Sequence, residues 1–428
     1  MRSNELILYR NFENREILDD AAFILSGDTG SGEGARNRMN SFTGSLIELA
    51  VKCGYEGNLW QAYLTHLIVN DENAYSTSCE IRGSVAGTIN DVALSDFSIF
   101  REMFAIDLGE LDKLCGTKNA GMLSCYKGTD TGSKAFNKRI RDRVMELRDQ
   151  LCAAGTDKDF MDTATAFYKE FGVGRFGLNK AFRIVHEGDE AVIVPITNMT
   201  HIYLEDLVGY ESAKRKLIDN TEAFIEGRPC NNCLLFGDAG TGKSSSVKGL
   251  LNRYYERGLR MIEIYRHQLR DLSDVISQIK DRNYRFIILM DDLSFEDYET
   301  DYKYLKAVIE GGLERKPENV LIYATSNRRH IVREKYSDRL DRDEELHSND
   351  TVAEKLSLSY RFGVTVYFGR PDKKQYDGIV TALAKRYGIE MDEDELLLEA
   401  DRWELSHGGL SGRTAQQFID HLRGRSDK

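Results

Sequence analysis

Proline is nearly missing from this 428-residue chain. Average usage would supply about 21, yet only Pro195, Pro229, Pro317 and Pro371 occur, and residues 1–194 have none. A long stretch without helix breakers or regularly spaced turn signals argues for helices and against a sandwich or barrel. Long apolar runs are missing too. None approaches the roughly 18 residues a membrane span needs, and the start, Met1-Arg2-Ser3-Asn4-Glu5, does not read as a signal peptide. The chain also lacks the cysteine pattern of a disulfide framework: seven cysteines are an odd number spread over 428 residues. Cys230 and Cys233 form a CxxC with no second pair to complete a zinc site, so they read as structural thiols, and cytoplasm is the default compartment. Positive charge is in deficit, 58 Lys and Arg against 70 Asp and Glu. The net charge of −12 argues against a dedicated nucleic-acid binder. What remains is an ordinary folded composition, 41% hydrophobic and 30% charged, long enough for two to three domains.

The first 190 residues repeat apolar positions at three- and four-residue spacing over 17–25, 44–51, 59–69 and 160–171, which predicts helices. The glycine-rich stretch 27–34 reads as a connector. Residues 134–148 read as one helix with Lys138, Arg139, Arg141, Arg143 and Arg148. Acids interleave at Asp142, Glu146 and Asp149, so a solvated face is expected rather than a nucleic-acid patch. Gly172-Val173-Gly174-Arg175-Phe176-Gly177 spells the dinucleotide fingerprint, but that motif needs a strand before it and a helix after it. Here a helical pattern precedes and a short strand, 191–196, follows later. A structural turn is the expectation.

From about residue 200 the rhythm becomes strand, helix, strand. Short aliphatic and aromatic runs at 233–236, 261–265, 286–290, 320–324 and 364–368 predict a mostly parallel sheet covered on both faces. Three helical patterns follow Pro371, at 373–387, 393–405 and 411–423. The most specific signal lies between the first two of these strands. Gly237-Asp238-Ala239-Gly240-Thr241-Gly242-Lys243-Ser244 fits GxxxxGK[ST] in full, just after a strand and opening a helix. Gly237 through Ser244, with Ser245, are the expected phosphate-binding residues. Lys243 is placed for the β- and γ-phosphates and Ser244 for Mg²⁺. A second acidic element is expected on a neighbouring strand. Phe286-Ile287-Ile288-Leu289-Met290-Asp291-Asp292 supplies it, with Asp291 as the metal-side carboxylate and Asp292 to orient the attacking water.

These residues, over about 200–428, resemble the AAA-type P-loop ATPases. Leu207-Val208-Gly209-Tyr210 looks like the segment that cradles adenine in that family, which adds Val208 to the nucleotide contacts. Ala324-Thr325-Ser326-Asn327 resembles the first sensor, implying that Asn327 touches γ-phosphate or the lytic water. Ser359-Tyr360-Arg361-Phe362 resembles the arginine-finger position, and Ser411-Gly412-Arg413 the second sensor, whose arginine reaches the phosphates from a helical lid. The wording Asp291-Asp292-Leu293-Ser294-Phe295-Glu296, with Glu310-Gly311-Gly312-Leu313-Glu314 and Thr325-Ser326-Asn327-Arg328-Arg329-His330, is similar to a bacterial AAA-type family known only as a domain of unknown function.

The resemblance implies ATP and Mg²⁺ as cofactors, ATP-promoted homo-oligomers, and an unknown protein partner that is remodelled. One departure stands out. Most motor members carry Asp-Glu where this chain has Asp291-Asp292, so hydrolysis is expected to be slow, or Glu296 takes the water-orienting role. A loader-like nucleotide switch is the alternative reading, and a P-loop kinase for a small metabolite is opposed by Asn327 and the three-helix tail. Arg361 has an ion pair with Glu354 as its bland alternative, and Arg413 a plain surface position. The stretch from Arg328 to Arg361 balances eight basic with eight acidic residues, which suggests an exposed insertion. The expected fold is α/β: a P-loop NTPase parallel-sheet core over 196–370, a helical lid over 371–428, and a mainly α-helical N-terminal domain over 1–195.

Overall fold

The structure is a computed structural model that describes residues 2–26, 32–84, 86–128, 136–197, 199, 202–295, 301–310, 317–329, 331 and 358–426. Glu296, His330 and the balanced-charge stretch 332–357 lie outside the described residues. The chain forms two compact units, Met1–Asn179 and Lys180–Lys428.

The first unit is helical: α1 (Arg15–Ser26), α2 (Gly32–Cys53), α3 (Leu59–Asn70), α4 (Ala74–Cys79), α5 (Ile89–Phe104), α6 (Leu108–Cys115), α7 (Lys138–Cys152), α8 (Asp157–Phe171) and α9 (Gly174–Leu178). Five of these helices are started by side-chain caps. Asn58, Asn73, Asp107, Asn137 and Thr156 each accept a first-turn amide, a contribution of about 1 kcal/mol apiece. Aromatic rings from several helices make the core, including Phe42, Trp60, Tyr63, Phe97, Phe100 and Phe160, all essentially buried. Asp96 within α5 is also buried, and its carboxylate accepts the amides of Ile7, Leu8 and Tyr9 at 2.7–3.2 Å, which pins the incoming chain to the helix.

The basic face of α7 is locally paired, with Arg141 on Asp142 and Arg148 on Asp149, while the Arg143 guanidinium lies 4.1 Å from the Phe171 ring centroid. Of the glycine-rich 172–177 segment, only Gly172 and Val173 connect α8 to α9, and Gly174 to Gly177 open α9 itself. The expected turn is thus partly a short helix, but a helix precedes it where the dinucleotide motif needs a strand. A Cβ on Gly177 would come within 2.5 Å of the Gly172 carbonyl carbon, so the close approach needs glycine.

The second unit is built on a seven-stranded sheet, β1 (Ala181–Glu187), β2 (Glu190–Pro195), β3 (Cys233–Gly237), β4 (Leu259–Glu263), β5 (Arg285–Met290), β6 (Val320–Ser326) and β7 (Val364–Phe368), in the order β2-β1-β4-β5-β6-β3-β7. Every pairing is parallel except the β1–β2 hairpin. Helices α10 (Glu211–Ile225), α11 (Lys243–Tyr254), α12 (Leu272–Ile279) and α13 (Tyr302–Glu310) lie between strands in sequence. Burial of all seven residues of β6 fits a central parallel strand covered on both faces.

Two expectations need correction. The hairpin belongs to the sheet, because Ala181 to Arg183 pair with Met261 to Glu263 of β4; the units therefore part at Asn179, earlier than the expected boundary at 195. The acidic strand β5 is also not a neighbour of β3, since β6 lies between them.

After Pro371, α14 (Lys373–Arg386), α15 (Glu393–Ser406) and α16 (Gly412–Ser426) pack around Tyr376, Val380, Ala400, Phe418 and Ile419. Asp372 opens α14 with a reciprocal capping box, and Asp392 caps α15. All seven cysteines are free; Cys233 sits buried in β3, where burial pushes its thiol up to about 12. Among the described residues, no helix is long and apolar enough to cross a membrane.

Candidate functional site

The C-terminal ends of β3, β5 and β6 open on a cleft of about 730 Å³ whose far wall is the helical lid. Open parallel sheets bind ligands at this end. The chain leaves β3 at Gly237, and the loop is tied to β7 through the Asp238 amide on the Phe368 carbonyl, 3.1 Å. Thr241 Oγ1 donates to the Asp238 carbonyl at 2.8 Å, closing the loop on itself. Helix α11 then starts at Lys243. Its first amides have no carbonyl a turn behind them, and they carry the positive end of the helix dipole, which together suit an anion.

Lys243 Nζ donates to the Gly237 and Asp238 carbonyls at 2.9 and 2.6 Å and to Asn327 Oδ1 at 2.9 Å. Burial holds its ammonium below the usual lysine range, and nearby Arg413 lowers it further, while Asp238, Asp292 and Asp291 pull it back up. Two cations facing one cleft favour a polyanionic ligand. Opposite them, Asp291 Oδ1 accepts from Ser244 Oγ and, at 2.6 Å, from Thr325 Oγ1. Asp292 has φ +52°. Its amide donates to Thr325 Oγ1 at 2.9 Å and its Oδ1 accepts from Asn327 Nδ2 at 2.8 Å. A continuous chain of contacts thus runs from Lys243 through Asn327 to Asp292, and from Ser244 through Asp291 to Thr325.

The donor set at Ser244 and Asp291 fits magnesium. It offers hard oxygen ligands, one of them a carboxylate, on a surface that also faces the phosphate loop. Among the described residues, no group of three or more His, Cys, Asp or Glu side chains could hold a metal ion. Magnesium there would need oxygens from a ligand and water.

Of the residues expected from sequence, 239–245, Asp291, Asp292, Asn327, Val208 and Arg413 all line this cleft. Gly237 and Asp238 do not; they serve the loop from behind, and the Asp238 carboxylate accepts the Arg370 amide at 2.9 Å. Arg361 is not among the lining residues either. Its amide donates to the Leu358 carbonyl, 3.2 Å, ahead of β7. Glu296 lies outside the described residues.

Sequence reasoning missed several lining groups. Ile202, Ile379, Leu383 and Tyr387 give the lid end an apolar wall, and Arg386 pairs with Asp206 across it. The i, i+4, i+8 spacing of Ile379, Leu383 and Tyr387 was the available signal. Thr325 was visible inside the sensor motif but had no role attached to it. The lid also touches the loop directly, through the Arg413 amide on the Gly240 carbonyl at 3.2 Å. Val208 packs partly buried against the lid's apolar cluster.

The family described as "Protein of unknown function (DUF815)" matches residues 178–426, more than half of the chain. Among curated proteins, none matches. Matches to solved structures are at low identity and low TM-score. A variant of Thermotoga maritima RuvB is 16% identical with a TM-score of 0.38, covering 52% of this chain and 65% of that one. The Thermotoga maritima RuvB Holliday junction branch migration motor is 12% identical with a TM-score of 0.33, over 52% and 72%. Caenorhabditis elegans PCH-2 ("C. elegans PCH-2") is 17% identical with a TM-score of 0.34, over 52% and 71%. The chain spans only 65% of the length of the RuvB variant it matches.

Proposed function

The chain belongs to the family described as "Protein of unknown function (DUF815)", and we propose that its second unit is an AAA-type ATPase site that hydrolyses Mg-ATP and couples this to remodelling of a protein partner. The observation that carries the reading is the contact chain Lys243–Asn327–Asp292 beside Ser244–Asp291. It gathers a phosphate-binding cation, a water-orienting carboxylate and a metal-side pair at one end of one cleft.

In this reading the loop amides and Lys243 take the phosphates. Lys243 gives up its carbonyl partners for phosphate oxygens, and Arg413 adds a second positive charge from the lid. Ser244 and Asp291 would hold magnesium, which when bound neutralises charge on the transferring phosphoryl group. Asp292, steadied by Asn327, orients the attacking water. Catalysis is positioning and electrostatics, with no covalent step on the protein. The apolar wall of Ile379, Leu383 and Tyr387 takes the base with Val208. Because Arg413 is joined to Gly240 through the backbone, loss of the terminal phosphate changes what holds lid to loop, which is the proposed coupling to a partner. Arg361, away from its own cleft, serves the cleft of an adjacent copy in an ATP-promoted oligomer of the cytoplasm.

Steady-state hydrolysis and binding of a fluorescent ATP analogue test this together. Lys243→Ala loses nucleotide, whereas Asp292→Asn binds it and turns over at least about 100-fold more slowly. Wild-type turnover in the Asp292→Asn variant would remove Asp292 from the mechanism, and absence of Mg²⁺-dependent hydrolysis in the wild type would remove the ATPase reading.

A second reading, a slow nucleotide switch, is favoured by one feature. Asp292 is a short carboxylate already engaged by Asn327 Nδ2. Robust turnover with no partner present would count against it.

A further inference from the structure

Thr325, at the end of β6, is 1% exposed and makes contact with three successive residues of the acidic turn. Its hydroxyl has one proton to give, donated to Asp291 Oδ1 at 2.6 Å. The same oxygen accepts the Asp292 amide at 2.9 Å. Its carbonyl accepts the Leu293 amide at 2.7 Å. We propose that Thr325 is the positioning residue of the site, setting Asp291 for the cation and Asp292 for water through one hydroxyl. The inference rests on the Mg-ATP reading above.

Geometry explains why the turn needs this. In a continuing strand, Asp291 and Asp292 would project to opposite faces. The left-handed conformation of Asp292, φ +52°, breaks that alternation, and its carboxylate meets Asn327 Nδ2 instead. A non-glycine residue stays in that region only when its surroundings over-determine it. Here the over-determining groups are the Thr325 hydroxyl on its amide, the Thr325 carbonyl on the next amide, and Asn327 on its side chain. The hydroxyl also limits Asp291. With Thr325 and Ser244 both on Oδ1, the carboxylate plane is held against the phosphate loop while Oδ2 stays 3.9 Å from Lys248 Nζ. Valine has nearly the same shape without the hydroxyl. It would leave the Asp292 amide unpaired and Asp291 with one donor fewer, with β6 packing otherwise kept.

The test uses the full chain with Thr325→Val and Thr325→Ser, read by ATP hydrolysis across a Mg²⁺ titration. Binding of a fluorescent ATP analogue is measured with Mg²⁺ and with EDTA. Thr325→Val is expected to lower kcat about 10- to 100-fold, the value of a hydrogen bond to a charged group, and to raise the Mg²⁺ concentration giving half-maximal rate. KM for ATP should stay within roughly twofold, and binding in EDTA should match the wild type. Thr325→Ser, which keeps the oxygen, should behave as the wild type.

Unchanged kcat and Mg²⁺ dependence in Thr325→Val overturn the proposal, as does a Thr325→Ser variant that fails equally, since packing rather than the hydroxyl would then be responsible. Circular dichroism checks folding. If valine is not accommodated, Thr325→Ala takes its place in the same assays with the same expected results. A wild type that does not hydrolyse ATP refutes the ATPase reading separately. Thr325 is then judged on binding alone: losing the Mg²⁺-dependent gain in affinity supports it, and keeping that gain overturns it.

Discussion

Replacing Gly237 by alanine asks whether the phosphate loop is held by its contact with β7 as well as by its own glycines. Gly237 has φ +136°, and a Cβ there would lie 2.0 Å from the Phe368 carbonyl oxygen and 2.6 Å from its carbon. Both are backbone atoms of a strand whose register pairs Gly237 with Phe368, so they cannot swing aside as a side chain would. Three costs combine. An L-residue in that backbone region costs about 1–3 kcal/mol, overpacking costs about 1–3 kcal/mol, and losing the Asp238 amide bond to Phe368 if β7 retreats costs about 1 kcal/mol. The total is about 5 kcal/mol. Gly242 is the control. It has φ +91° but nothing within 4 Å of its would-be Cβ, so only the backbone term of about 1–2 kcal/mol applies. At about 1.4 kcal/mol per factor of ten, opening of the β3–β7 edge should rise by three orders of magnitude or more in Gly237→Ala and about tenfold in Gly242→Ala. Native-state hydrogen exchange on peptides spanning 233–238 and 364–370 reads this directly, with α14–α16 as the internal reference. Equal loss of protection in the two variants would refute the reasoning, since both alter the same motif and differ only in what the new methyl group meets.

The helical unit carries an opposed pair of titrations at the end of α3. Packing around His66 lowers its imidazole to about 4, and burial of Asp71, whose Oδ2 has no hydrogen-bond partner, raises its carboxyl to about 7. Below about pH 6.5 the unfolded chain takes up a proton that folded His66 refuses, so stability falls as pH drops to 4. Above about pH 4 the unfolded chain releases a proton that folded Asp71 keeps, so stability falls as pH rises to 7. Each effect is on the order of 3 to 4 kcal/mol. Asp71→Asn should therefore make stability rise with pH from 4 to 6.5, and His66→Gln should make it fall from 4 to 7, by urea denaturation; matching profiles in both variants would sink the assignment. Arg361→Ala should lose hydrolysis by about three orders of magnitude if Arg361 serves a neighbouring copy, and mixing it with Lys243→Ala should restore part of the rate. No recovery on mixing would place the arginine's effect within its own chain.

Legibility followed the range over which each feature is encoded. The GxxxxGK[ST] loop is eight contiguous residues shaped by local backbone geometry between β3 and α11, so its place reads directly. Strands β5 and β6 read as apolar runs because a parallel strand covered on both faces admits little else, whereas β7, at the sheet edge, exposes Thr365 and Tyr367 and read from its β-branched and aromatic residues. The lid helices read from their apolar period alone, and the Asp372 and Asp392 caps were seen only in the structure. Proline scarcity also resolved into something physical. Pro195 closes β2 and Pro371 precedes the cap of α14, while the proline-free unit starts five of its helices with Asn, Asp and Thr caps. Such caps are common residues, and this is why that half offered helices and little else.

Strand β1 escaped notice because Phe182, Ile184 and their polar neighbours alternate over too few residues to stand out beside a glycine-rich turn, and its partner β4 lies some eighty residues onward. Strand order is a still longer-range property. Sequence placed the acids on a strand next to the loop, whereas the sheet inserts β6 between them. That insertion has a chemical consequence. Although β5 and β3 do not pair, Ser244 meets Asp291 directly, and side chains at the end of the strand between them supply further links. Asn327 joins Asp292 to Lys243, and Thr325 joins Asp292 to Asp291. The residues at the end of β6 therefore bridge the two halves of the site, and a substitution there should disturb the acids and the lysine together.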